Sequence, residues 1–468
     1  MRRTALYSRS TPPAPPAGMA AQAGDPEPAS PAPATPPRPS RTRLVWHHPG
    51  ALWGAIVALA LALALSQGPW RAPAARQLTQ KDIDAAVLRT LYGMRGEFHY
   101  FLGDYDLARS DTQLAMVLAR QLGLRKEEMD MAVVLSSIAR WQGETDDAEA
   151  NLRQALAFYQ QTGYRGGEAD VQHELAQLYV YTGQYAEAKA CAAESLSISL
   201  ELGRPDWIGW ALDALGWVSF CCGDYAAASQ HYNESLSYFE RIGHQLGISL
   251  AWGGLGMVAW AGGSQTWAEA QAFMERSLDL CRHMNHQFHI SSRLSVLAQI
   301  NNDAEHYAQA ESQAREGLEI ARKVGSSLFT ALNLCCLAES LYYRGNLTNS
   351  RVYVREALKL AYDIRQMPAL TLALLCYATL AVIESELAEG ETAQQIAKQI
   401  QAIALLERVI DHPACWSIHQ EKARQLLSDL TRKWPAEIVK AAALSNQVDA
   451  FDDQVLEILG ETICNPSP

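Results

Sequence analysis

The chain has 468 residues, 49% hydrophobic and 19% charged, enough for one long domain or for two or three compact ones. Its formal net charge of −12, with no sustained basic stripe, argues against a grip on phosphate backbones, so no nucleic-acid partner is expected. Nine cysteines, four of them in the doublets Cys221-Cys222 and Cys335-Cys336, follow neither a disulfide nor a zinc spacing and read as small buried thiols.

Residues 1–45 form a Pro/Ala-rich tail with too little apolar surface to fold by itself. From Ala51 to Leu65 there is no charge, and the run from Trp46 to Gln67 approaches the ~20 residues that a bilayer core requires. This predicts a transmembrane anchor over 46–67, with Trp46, Trp53 and Trp70 at or near its ends, where indoles favour the interface. Arg38, Arg41 and Arg43 precede the run; Arg71, Arg76 and Lys81 follow it. Arg2, Arg3 and Arg9 tilt the N-terminus towards the cytoplasm, which puts the remainder on the extracytoplasmic (periplasmic) side; the unpaired thiols point the other way. Ala64-Leu65-Ser66 also suits a leader-cleavage site, so a removed signal stays open beside the single-pass anchor. Residues 68–83 read as a linker. Leu78–Leu91, LTQKDIDAAVLRTL, resembles the stretch after the anchor in some bacterial trypsin-like serine peptidases, but no Gly-Asp/Asn-Ser-Gly-Gly motif follows and no peptidase activity is implied.

Over 84–410 one pattern returns every forty residues. Gly103, Gly143, Gly183 and Gly223 are each followed by Ala five residues on (Ala108, Ala148, Ala188, Ala228). Gly263, Glu305 and Gly345 continue the series after a short insertion. Seven residues before each stands a small residue (Gly96, Ser136, Ala176, Gly216, Gly256, Ala298, Ala338). Seven after the Ala slot comes a small-then-large pair such as Ser195-Leu196 or Ser235-Leu236, and then a second break at Gly123, Gly163, Gly203, Gly243, Asn285 or Gly325. Apolar residues between breaks recur at three and four, the period of an amphipathic helix. Gly or Asn after such a run suits a left-handed C-terminal cap. Each unit is therefore helix, tight turn, helix, break, and such a hairpin buries its apolar face only by stacking on neighbours.

These columns resemble the tetratricopeptide repeat over seven units (~84–365), with a degenerate eighth unit around Gly390. The forty-residue period is longer than the family's usual repeat and resembles the C-terminal arrays of large bacterial LuxR/maltose-activator-type regulators, whose ATP-binding and DNA-binding modules are lacking here. The resemblance implies an all-α, right-handed α-solenoid of stacked hairpins. Residues 411–468 complete it as capping helices and tail, with helices expected over 414–432 and 448–460.

No catalytic constellation stands out, so neither enzyme activity nor a cofactor is expected. Gly254-Leu-Gly256-Met-Val-Ala259 matches a dinucleotide fingerprint but falls inside a repeat helix. Cys281, His283, His286 and His289 straddle a helix break, so no metal site is expected. In arrays of this type the last turn of the first helix lines the concave face. The resemblance thus places Arg140, Trp141, Tyr181, Phe220, Trp260, Tyr342 and Tyr343 there, joined by His173, Trp210, Asp213 and Trp217. An aromatic groove with scattered polar groups suits an extended protein or peptide partner. The expected function is a non-catalytic, membrane-anchored scaffold; the alternative is a regulatory sensor that binds a small effector or a regulator protein.

Overall fold

A computed structural model of the chain describes residues 80–102, 104–388, 392–448 and 451–460. The tail and the anchor expected over 46–67 lie outside the described residues. The chain divides into Met1–Thr90 and Leu91–Pro468, and the second part carries the array.

The described residues form nineteen helices. The first eight are α1 (Gln80–Leu102), α2 (Tyr105–Leu122), α3 (Arg125–Gln142), α4 (Thr145–Thr162), α5 (Arg165–Thr182), α6 (Tyr185–Glu201), α7 (Pro205–Cys221) and α8 (Tyr225–Ile242). Then come α9 (Gln245–Ala261), α10 (Trp267–His283), α11 (Gln287–Asp303), α12 (Tyr307–Lys323), α13 (Ser327–Tyr343) and α14 (Leu347–Asp363). The chain continues as α15 (Met367–Leu387), α16 (Ala393–Asp411), α17 (Ser417–Lys433), α18 (Ala436–Val448) and α19 (Phe451–Leu459). They pack in consecutive pairs as a solenoid of hairpins.

The turn chemistry read from sequence is what shapes each unit. Gly183 ends α5 at φ +82°, and its N–H and that of Gln184 return to the carbonyls of Val180 and Tyr179. Where no glycine is available, Asn285, Glu305 and Arg365 take the left-handed conformation at φ 55°, 63° and 52°. The small column does more than allow close approach. Ser195 donates to the carbonyl of Ala169, Ser235 to Gly209 and Ser277 to Ser249, each from a second helix to its own first helix.

The later units meet the earlier ones. Helix α3 touches α13, α5 touches α15, and α7 touches α17. Tyr185 donates to the Ala414 carbonyl at 2.7 Å, and Ser417 to the Cys221 carbonyl at 3.2 Å. Helix α15 is the one described helix long and apolar enough to cross a membrane, but 78% of its apolar window is buried inside the array, so it serves here as a core helix. Helix α18 was not expected, because it follows the last unit and shares no column with the repeats.

Gly183 tests this seal. A Cβ there would need a left-handed side chain and would come within 2.8 Å of Ala414 Cα, whereas Gly203 (φ +63°) meets nothing within 4 Å. Gly203→Ala should cost about 1 kcal/mol, and Gly183→Ala on the order of 2–4 kcal/mol. Equal melting midpoints by circular dichroism would show that the two ends of the array do not meet at Ala414.

Candidate functional site

The first helices face inward, and their last turns bring several sequence-chosen residues into one cluster. Arg140 on α3 is 4% exposed. Its guanidinium carbon lies 4.1 Å from the Trp141 ring centre and 5.1 Å from that of Tyr181. One N–H reaches Glu174 Oε2 on α5 at 3.2 Å, and Ser137 donates to the same oxygen at 2.7 Å. Burial alone would raise the Glu174 pKa, but Arg140, His173 and these hydrogen bonds outweigh it and hold it below the usual range. Arg140 Nε and Nη1 have no acceptor. Trp141 donates to Tyr100 at 3.0 Å and packs edge-on against Tyr181, which meets Trp217 of α7 in the same way.

Asp213, also on α7, is 7% exposed and receives no hydrogen bond from the described residues. Burial pushes its pKa up to about 7, opposed only by the charge of Arg293. Arg293 enters from α11, bonded to Ser277 at 2.8 Å and laid across Gly253, where a Cβ would stand 2.6 Å from its Cζ. His286 and His289, seven and four residues before it, have ring centres 4.4 Å apart with their planes tilted by 39°. Burial lowers His286 to about 4 and His289 well below its ordinary value, so both imidazoles are neutral. His173 is likewise lowered by burial, has an unpaired Nδ1 and sits 6.1 Å from the Trp210 ring. Asp170 reaches water from the same helix, yet burial and the nearby Glu174, Asp130 and Glu97 raise it to about 7.

Other residues placed on the concave face from sequence are covered by the chain itself. Helix α17 lies over Phe220 and Trp260. Trp416 meets Phe220 edge-on at 6.0 Å and stacks on His419. Lys422 stands 5.0 Å from the Trp260 ring centre and binds Asp303 at 2.8 Å, and Asp303 accepts the Trp260 N–H at 2.7 Å. Tyr343 stacks on Tyr307 at 5.0 Å, and Tyr342 meets Tyr343 edge-on at 4.6 Å. Phe288 meets Trp141 at 4.0 Å across the interior, so its opposite walls touch.

Sequence reasoning missed Arg293, Glu174 and Asp170. Arg293 did carry a signal, as the lone charge in the apolar run ISSRLSVLAQI. Among the described residues no group of three or more His, Cys, Asp or Glu could hold a metal. What the cluster offers is unpaired donors at Arg140 and an unpaired acceptor at Asp213, inside an aromatic wall.

The tetratricopeptide-repeat family model matches residues 127–201 and 167–241. Among solved structures, a Rap protein complexed with competence and sporulation factor is 12% identical, with TM-score 0.50 over 72% of this chain and 93% of that one. Apo RapI is 16% identical, with TM-score 0.45 over 59% and 98%. A signal-transduction ATPase with a tetratricopeptide repeat sensor from Pyrococcus horikoshii is 12% identical, with TM-score 0.48 over 82% and 55%. At these identities the likeness is one of fold. No curated protein matches the chain.

The Asp213 carboxyl makes a pH-dependent contribution. Unfolded, it titrates near ~3.9; folded, near about 7. Below the unfolded value it is protonated in both states, and stability is lost as pH rises through about 7. Asp213→Asn should gain about 2–4 kcal/mol on wild type between pH 4 and pH 8. Comparing urea midpoints at the two pH values cancels the amide's own cost. An unchanged difference would mean that the carboxylate is paired.

Proposed function

We propose, from the premise that this chain is a tetratricopeptide-repeat protein, that its array is a non-catalytic scaffold holding a short peptide or a partner's segment in its interior. The observation that carries this is the set of unpaired buried polar atoms at Arg140, His173 and Trp217, with the Asp213 carboxyl on the same helix as Trp217, bordered by Trp141, Tyr181 and Trp210. Buried groups left unsatisfied cost about 1–3 kcal/mol each, and a peptide supplies both the carbonyls and the N–H groups that would satisfy them. The Rap protein of like fold is described in complex with competence and sporulation factor.

A second reading, a sensor of a small effector, is favoured by the closeness of the interior walls, where Trp141 meets Phe288. In either case residues 46–67 would tether the array to a membrane, with the array on the extracytoplasmic side.

A photo-crosslinking residue in place of Trp210, with Glu240 on the outer surface as control, tests the site in cells. Adducts with a peptide or protein at 210 but not at 240 are expected. An adduct of a few hundred daltons would select the effector reading, and equal labelling at both positions would reject an interior site. The tether is tested separately with engineered thiols at Ser40 and Ser467 and a membrane-impermeant reagent in intact cells. Labelling at 467 alone is expected; labelling at 40 alone would place the array in the cytoplasm.

A further inference from the structure

Inside the array, buried charges of opposite sign are in contact at two places. Arg140 reaches Glu174 at 3.2 Å, and Lys422 reaches Asp303 at 2.8 Å. Asp213 and Arg293 behave differently. They are 7% and 6% exposed, and the charge of Arg293 draws the Asp213 pKa down against burial, so the two are near. Yet among the described residues no hydrogen bond or ion pair joins them. Arg293 is held back from contact. Its Nε donates to Ser277 at 2.8 Å, Ser277 donates in turn to the Ser249 carbonyl, and the guanidinium fills the space over Gly253. Position 253 is the counterpart of 213 one repeat on, and α7 packs beside α9. The guanidinium therefore stands where a side chain of the neighbouring first helix would stand. Packed helix axes lie ~8–10 Å apart, which leaves room for one small polar group between carboxyl and guanidinium. The Asp213 oxygens and the Arg293 Nη groups have no hydrogen bonds among the described residues. Trp210 and Trp217, both half-buried, stand one turn before and one turn after Asp213 on the same face of α7.

We propose, resting on the effector reading of the interior, that this space takes the zwitterion of a free α-amino acid. Its ammonium sits on Asp213, its carboxylate on the Nη groups of Arg293, and an apolar side chain lies against the indoles of Trp210 and Trp217. The two charges select this occupant. Each is buried without a direct partner, which is costly, and a zwitterion neutralises both at once. A simple cation would leave Arg293 unmatched, a simple anion would leave Asp213 unmatched, and a peptide bond carries neither charge. The carboxylate also matches the planar fork of a guanidinium whose Nε is already engaged.

The experiment uses the full chain in detergent, with the protein amino acids added one at a time and the melting midpoint read against ligand concentration. An apolar amino acid should raise the midpoint in a saturable way. Its two one-charge analogues, the amine without the carboxylate and the acid without the ammonium, should each bind at least about tenfold more weakly. Asp213→Asn, which keeps the shape but not the charge, should keep its helicity and lose at least about tenfold in affinity for the amino acid. Equal binding of the acid analogue, or indifference to Asp213→Asn, would overturn the zwitterion and leave the effector reading standing. Dipeptides that stabilise where amino acids do not would overturn it in favour of the peptide reading. No shift with any amino acid would overturn it too, and the adduct mass at position 210 would then still decide between effector and peptide.

Discussion

At Gly256 the two helices of a hairpin come so close that an added Cβ would stand 2.9 Å from Met274 Cε and 3.2 Å from the Ala270 carbonyl. This approach recurs once per unit and sets the distance between helix axes. With the axes close, one flank of each hairpin is left apolar and the next hairpin has to cover it. The serine hydroxyls at 195, 235 and 277 exploit the same closeness, bonding carbonyls that a wider spacing would leave out of reach.

The consequences accumulate along the chain. Each stacking step rotates the next hairpin slightly, and after several steps α13, α15 and α17 lie against α3, α5 and α7. A groove that would be open in a shorter array becomes an interior. Helix α17 rests on Phe220 and Trp260 as a bound helix would, with Lys422 satisfying Asp303. Further along, charges are enclosed with fewer partners than they can use. Arg140 keeps one carboxylate and two idle nitrogens, and Asp213 has Arg293 nearby but no hydrogen bond. Groups of this kind cost stability, and their concentration in one place sets this interior apart from a packed core.

Legibility in the sequence followed the source of each constraint. Glycine and small-residue columns depend on contacts within a unit or between neighbours, so they repeat and can be counted. Arg140, His173, Trp210, Asp213 and Trp217 were singled out from sequence because of their positions within the repeat. Their companions Arg293, His286 and His289 come from α11, far along the chain, and no spacing links 140 or 213 to 293. Helix α18 escaped for the opposite reason, since it follows the last repeat and has no column to reveal it.

The sequence by itself determined the helices, their breaks and their pairing, because left-handed caps and small-residue contacts are local and admit few residue types. Only the tertiary structure decided which inward aromatics become core and which border the interior. Phe220 and Trp260 differ from Trp210 and Trp217 in whether α17 reaches them, and that depends on rotation summed over many hairpins. Small angles accumulated in this way leave no mark on any single repeat.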